Sequence, residues 1–319
     1  MAGKVLEEGF GAKMNTRERA APVSGRMAAS NKAGSNILVG TCNWADFPEW
    51  YPKGLPPNER ISYYAQHFPV VEVDSTFYRL MPRRNFASWA EKTPDSFVFD
   101  VKAYRTLTRH GAAYEPGKRH ADADPTYDPP EEDFVAFAEA LEPLRQAGKL
   151  RAIQFQFPPW FTRTSSNLRH LETCREYLPD DLLAVECRHR SWLEPEAAAE
   201  TFAFLRDHQF VYTVVDEPQI GNDSVPPLVA VTNPTLAIAR FHGRNTRTWH
   251  LKGAASSRER FNYLYSAEEL GEWVPRLEVM AEQASEVHVL MNNNHQSKAV
   301  INAQDMRRLL ADQTGVGTL

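Results

Sequence analysis

A (β/α)8 TIM barrel, eight parallel strands closed inside a ring of helices, is the fold this sequence predicts, and three observations carry it. Eight short apolar or β-branched runs recur along the chain, beginning at Ile37, Val70, Phe97, Ala152, Leu182, Val211, Leu236 and Glu286. Most of the intervals between them are roughly 30 residues, the length a strand and a returning helix require. Most of the runs also stop abruptly in charged or amide side chains, as expected where a barrel gathers its binding groups at one end.

Taken in order, the runs read ILVGTCNW, VEVDSTFYR, VFDVKAYR, IQFQFPP, LAVECRHRSW, VYTVVDEP, AIARFHGRN and VHVLMNNN. Between them lie segments with helical periodicity, including 134–148, 197–209 and 266–284. The last opens with Ser266 followed by Glu269, the pattern of a capping box. A doubly wound sheet would carry a Gly-rich phosphate turn after its first strand, and GTCNW has a single glycine.

Composition fits a soluble globular chain. Hydrophobic residues make up 42% and charged residues 24%, which excludes a disordered segment as the whole. No apolar run approaches the ~20 residues that span a bilayer. The net charge of −5 argues against unspecific binding to nucleic acid or anionic membranes, without excluding a basic pocket. Cys42, Cys174 and Cys187 are odd in number and lack CxxC spacing, so neither a disulfide framework nor a zinc site is expected, and a reducing cytoplasm is the natural compartment.

Two stretches stand apart. Residues 1–35 mix Ala, Ser, Gly, Lys and Arg without period and read as a flexible extension, leaving 36–319 as a single barrel domain. Tyr104 to Asp133, rich in Pro, His, Arg and Asp, follows the third strand. Either a lid over the site or a solvated surface loop accounts for it.

Strand alternation then selects the groups that face the barrel axis. It directs inward Glu72 and Asp74 on the second strand, Asp100 and Lys102 on the third, and Gln154 and Gln156 on the fourth. Glu186 and Arg188 follow on the fifth, Asp216 on the sixth, and Arg240 and His242 on the seventh. Ions buried in such number cost several kcal/mol each unless paired. An ion-pair plug explains Asp100, Lys102 and Arg240, whereas the outermost groups, Glu72, Glu186, Arg188, His189, His242 and Arg244, lie where barrel enzymes keep their chemistry.

The expected roles follow from residue chemistry. Glu72, Glu186 and His242 are the candidate catalytic groups, one carboxyl held protonated while another stays ionised. Lys102, Arg188, His189 and Arg244 are candidates for neutralising an anionic group on a small substrate. Tyr78 and Trp192, among the rim aromatics, would stack on a sugar-like ring, and Asn292 and Asn293 would hydrogen-bond it. A divalent metal held by Glu72, Asp74, Glu186, Asp216, His189 and His242 is the sharper alternative. No HxH or HExxH signature supports it, and neither a metal nor any other cofactor is expected.

An ordered set of motifs resembles the YecE-like family of domains of unknown function. The set comprises GTCNW at 40–44, WYPKGLP at 50–56, YYAQHFPVVEVDSTFYRLMP at 63–82, FVFDVKA at 97–103, QFPPWF at 156–161, LAVECRHRSW at 183–192, ARFHGRN at 239–245, YLYSAEEL at 263–270 and VLMNNN at 289–294. The resemblance implies a TIM barrel and no particular reaction. It carries over Glu72, Ser75, Thr76, Phe77, Tyr78, Lys102, Glu186, Arg188, His189, Trp192, His242, Gly243 and Arg244. Asp74 stands where the family often has Asn, and Cys187 where it often has Phe.

The leading expectation is a hydrolase or lyase that acts on an anionic or sugar-like small molecule by general acid and base catalysis. A metal-dependent phosphoesterase acting on nucleic acid and a non-catalytic metabolite-binding protein are the two alternatives. No membrane partner is expected, and the oligomeric state is left open.

Overall fold

In a computed structural model the chain is described at residues 36–111, 127–222, 224–249 and 257–313. The expected extension at 1–35 and the middle of the segment after the third strand lie outside the described residues. Eight parallel strands close in sequence order: β1 Ile37–Cys42, β2 Val70–Val73, β3 Val98–Lys102, β4 Leu150–Gln156, β5 Leu183–Glu186, β6 Val211–Asp216, β7 Leu236–Phe241 and β8 Glu286–Met291. Around them run α1 Arg60–Ala65, α2 Arg83–Glu91, α3 Glu131–Gln146, α4 Ser165–Tyr177, α5 Pro195–Asp207, α6 Ala267–Gly271, α7 Val274–Gln283 and α8 Lys298–Gln313. The fold is the TIM barrel that the strand spacing predicts.

Two details depart from a regular alternation of strand and helix. Between β6 and β7 no helix occurs among the described residues, in keeping with the shortest of the strand intervals. The helical pattern at 266–284 divides into α6 and α7, and Pro275 stands in the first turn of α7, where its missing N–H leaves no helical hydrogen bond unmade. The capping box is present: Glu269 N–H donates to Ser266 Oγ at 3.2 Å, and Ser266 N–H donates to Glu269 Oε2 at 2.9 Å.

Each strand divides its side chains between two cores. Val71, Val73, Phe99, Val101, Ile153, Phe155, Val185, Ala239, Val287 and Val289 point outward into the apolar layer beneath the helices. Val70, Val98, Ala152, Ala184, Val211, Leu236, Ile238 and Leu290 point inward and pack on the barrel axis. Each large apolar side chain so buried contributes about 1.5–3 kcal/mol. Gly40 on β1 is required by crowding, since a Cβ there would fall 2.1 Å from the carbonyl oxygen of Val70 on β2.

On β6 the alternation corrects one expectation. Tyr212 and Val214 belong to the outer core, while Val211 packs on the axis and Thr213 donates to the inward-facing Gln154 at 3.1 Å. Asp216 shares the parity of Tyr212 and Val214 and therefore faces the helices. It accepts from Tyr265 Oη at 2.8 Å, from Trp273 Nε1 at 2.7 Å and from Arg244.

Candidate active site

Above the apolar layer the barrel axis is filled by charge. Arg240, which β7 directs inward, is fully buried. Its Nη2 lies 2.6 Å from Glu72 Oε1 on β2, and its Nη1 pairs with Glu186 Oε2 on β5. Cys42 Sγ at 3.5 Å and Gln156 Oε1 at 3.4 Å complete its surroundings. One guanidinium thus ties three strands together across the barrel, with the two-pronged geometry that arginine offers carboxylates.

A second layer adjoins Glu186. Arg188 Nε lies 2.6 Å from Glu186 Oε1, and its Nη1 donates to Glu217 Oε2 at 2.8 Å. Glu217 in turn accepts from the backbone N–H of Val225 at 2.8 Å, which anchors the loop between β6 and β7. The guanidinium also lies 5.5 Å from the ring centroid of Trp249. His242, one alternation beyond Arg240, sets Nε2 3.1 Å from Glu186 Oε1 and 3.3 Å from Arg188 Nη2. Asn292 Nδ2 donates to its Nδ1 at 2.8 Å, so the ring proton sits on Nε2 and is offered to Glu186.

The protonation states differ from group to group. Burial together with the Arg188 charge lowers the His242 pKa to about 3, so the ring is neutral near pH 7. Burial alone would raise the Glu186 carboxyl, but Arg240, Arg188 and His242 outweigh it and hold the group well below the usual carboxylate range. For Glu72 the balance is reversed: burial, helped by the nearby Asp74, pushes its carboxyl well above that range despite Arg240. Asp74 would also be raised by burial, yet Lys102 and Arg240 prevail and it stays ionised. Glu72 and Asp74 shift each other in opposite senses, the first up and the second down, as neighbouring carboxyls do when one keeps its proton and the other loses it.

Asp74 and Lys102 form the end of this network that solvent reaches. Lys102 Nζ lies 3.4 Å from Asp74 Oδ1, with side-chain exposures of 12% and 17%, whereas Glu72, Glu186, Arg240 and His242 are at 0%. Lys102 Nζ also lies 4.9 Å from the ring centroid of Phe77. Beside that ring stand Tyr78 and His110, with Trp160 next to His110, all in edge-on contact. With Glu72 protonated, every cation here already has a carboxylate partner.

Of the residues expected to form the site, Glu72, Glu186, His242, Lys102, Arg188 and Asn292 converge on this network. Tyr78, 45% exposed, stands at its rim. The others are placed elsewhere. Trp192 is buried against Phe161, whose carbonyl accepts its indole N–H at 2.6 Å. Asn293 turns outward to Tyr263 O and Asn302 Oδ1. Arg244 leaves the axis to pair with Asp216 at 2.7 Å and with Glu269 and Glu272. His189 Nδ1 is engaged by Ser191 Oγ at 2.8 Å.

The six carboxylates and histidines expected as alternative metal ligands are likewise divided between the axis and the outer layer. Among the described residues no three His, Cys, Asp or Glu side chains form a group that could hold a metal ion. Three axial residues, Glu286, His288 and Glu217, are not singled out by the sequence. His288 shares the inward parity of Leu290 in the run VHVLM and could have been found by alternation, whereas Glu217 follows the end of β6 and no periodicity marks it.

Residues 38–318 match the family described as a protein of unknown function, DUF72. The YecE-like family is the same group under another name. The chain is similar to YunF, a UPF0759 protein of Bacillus subtilis, with 36% identity over 276 residues, 86% of this chain and 94% of that protein. A DUF72 family protein of Enterococcus faecalis has a crystal structure with a TM-score of 0.75 and 31% identity, covering 86% of this chain and 95% of that one. One of Thermotoga maritima has a TM-score of 0.71 and 33% identity, covering 86% and 98%.

Proposed function

We propose, from the premise that this chain belongs to the DUF72 family, that it is an enzyme whose Glu72–Asp74 pair performs general acid and base steps on a hydroxyl-rich, sugar-like small molecule. The observation that carries this reading is a raised carboxyl beside an ionised one, where Asp74 and its partner Lys102 are partly exposed to solvent. Asp74 meets the substrate, and Glu72 behind it holds the proton. Such a pair supplies both an acid and a base for hydrolysis or elimination.

The remaining groups serve that pair. Lys102 keeps Asp74 ionised and donates to a substrate hydroxyl. Arg240, clamped by Glu186, holds Glu72 in place, and His242 is a neutral member of that clamp. These are positioning residues, because neither Glu186 nor His242 is exposed to solvent. Charge balance favours an uncharged sugar-like substrate over an anionic one, since Lys102, Arg188 and Arg240 are already matched. The three free, buried cysteines agree with a cytoplasmic protein. No helix among the described residues is long and apolar enough to cross a membrane.

The test is turnover, followed by NMR, of a panel of neutral glycosides and polyols beside sugar acids and sugar phosphates. Glu72→Gln and Asp74→Asn should each keep the fold, by circular dichroism, and lose about 100-fold or more of the activity found. Activity retained by both variants would sink the reading. Ligand-induced stabilisation without turnover of any compound would instead favour a binding protein.

A further inference from the structure

The same axis carries a second set of charges, which reaches the opposite face of the barrel. Asp100 on β3 accepts from His288 on β8, with Oδ2 2.6 Å from Nδ1, and both are fully buried. The other ring nitrogen lies 2.9 Å from Glu286 Oε1, and Glu286 pairs with Arg151 Nε at 2.7 Å. Glu286 opens β8 and Arg151 is the second residue of β4. They therefore stand at the N-terminal ends of their strands, away from the candidate site, with side-chain exposures of 22% and 36%.

Asp100 is also the neighbour of Glu72. The two are register partners on adjacent parallel strands and both face inward, so their side chains leave the sheet about 5 Å apart. Asp100 Oδ1 is buried without a hydrogen bond among the described residues, as is Gln154 Nε2 on the next strand. An oxygen so placed keeps its share of negative charge instead of passing it to a donor, and in a dry interior that charge acts strongly on a neighbouring carboxyl.

We propose that Asp100 and His288 are positioning residues for the acid Glu72, forming with Glu286 a buried polar axis that sets how firmly Glu72 holds its proton. This rests on the reading of Glu72 as the acid. Asp100 disfavours a second negative charge beside it and so keeps Glu72 protonated. His288, as an imidazolium between Asp100 and Glu286, moderates that effect. The groups facing Glu72 are Asp74 on its own strand, Cys42 on β1, Asp100 and Lys102 on β3, and Arg240 on β7. Those facing His288 are Asp100 and Glu286, with Arg151 behind the latter. The axis couples the catalytic face to the opposite one through charge alone, and no covalent step is involved.

The test is an infrared titration of the full chain without substrate. The protonated-carboxyl band that disappears in Glu72→Gln belongs to Glu72, and its midpoint is then followed in the other variants. Asp100→Asn should lower the midpoint by about one pH unit, and His288→Asn should raise it by a similar amount. A merely structural role moves stability without these opposite shifts. Should either variant fail to fold, Glu286→Gln, at the partly exposed end, should still lower the midpoint by a few tenths of a unit. A midpoint unmoved in the folded variants overturns the proposal while leaving the acid reading intact. A spectrum in which Glu72→Gln removes no such band overturns both.

Discussion

Two histidines are buried on the same barrel axis in opposite charge states. His242, towards the C-terminal ends of the strands, is neutral, and His288, nearer the opposite face, is an imidazolium. Burial opposes the charged form at both positions and is the largest influence on each. The partners decide the outcome. His242 has Arg188 at 3.3 Å and shares the single carboxylate Glu186 with two arginines. His288 has Asp100 and Glu286, one on each ring nitrogen, and its pKa rises to about 9. In this interior the ratio of carboxylates to cations within reach, rather than depth, selects the protonation state.

Removing the central cation breaks this comparison most severely. Arg240→Met leaves Glu186 and the Glu72–Asp74 pair without their shared partner and should cost about 3–5 kcal/mol in urea unfolding, or prevent folding. In any folded fraction, NMR titration should show the His242 pKa moved upward, since one of the charges opposing its proton is gone. An unchanged unfolding midpoint would mean that Arg240 does not bind the upper half together.

The second prediction sharpens the contrast through pH. The folded pKa of His288 lies above the unfolded value of about 6.5. Its contribution to stability is therefore complete below that pH and is lost as pH rises through about 9. The loss is on the order of 3 kcal/mol. For His242 the folded value lies below the unfolded one, so its contribution is present above pH ~6.5 and is lost as pH falls towards about 3. Unfolding measured across this range should give a maximum near pH ~6.5, and His288→Asn should remove the alkaline decline. An alkaline limb identical in that variant would refute the assignment.

The smallest effect belongs outside the axis. Arg244 lies four residues beyond Arg240 but pairs with Asp216, Glu269 and Glu272 in a layer where its side chain is 29% exposed. Arg244→Ala should cost about 1 kcal/mol or less, diminish further in salt, and leave the Glu72 titration unmoved.

Much of the barrel was legible because its strands are short and regularly spaced. The starts of β1, β2, β6, β7 and β8 fall on the residues that the apolar runs mark, and those of β3, β4 and β5 fall within two residues. Inward parity was equally legible for Glu72, Lys102, Glu186, Arg188, Arg240 and His242. It failed at Asp216, because β6 is apolar on both faces and its pattern sets no phase. Trp192, Asn293 and Arg244 follow the strand ends, where the period of two no longer constrains direction.

By itself the sequence determined the closed barrel, the family, and the crowding of charge along its axis, since each follows from local periodicity or from motifs contiguous in the chain. Only the tertiary structure decided which charges meet. The pairing of Arg240 with Glu72 and Glu186 joins residues 168 and 54 positions apart, and that of His288 with Asp100 spans 188. A carboxyl's protonation depends on the cations within a few ångströms of it, and closure of the barrel alone brings them there.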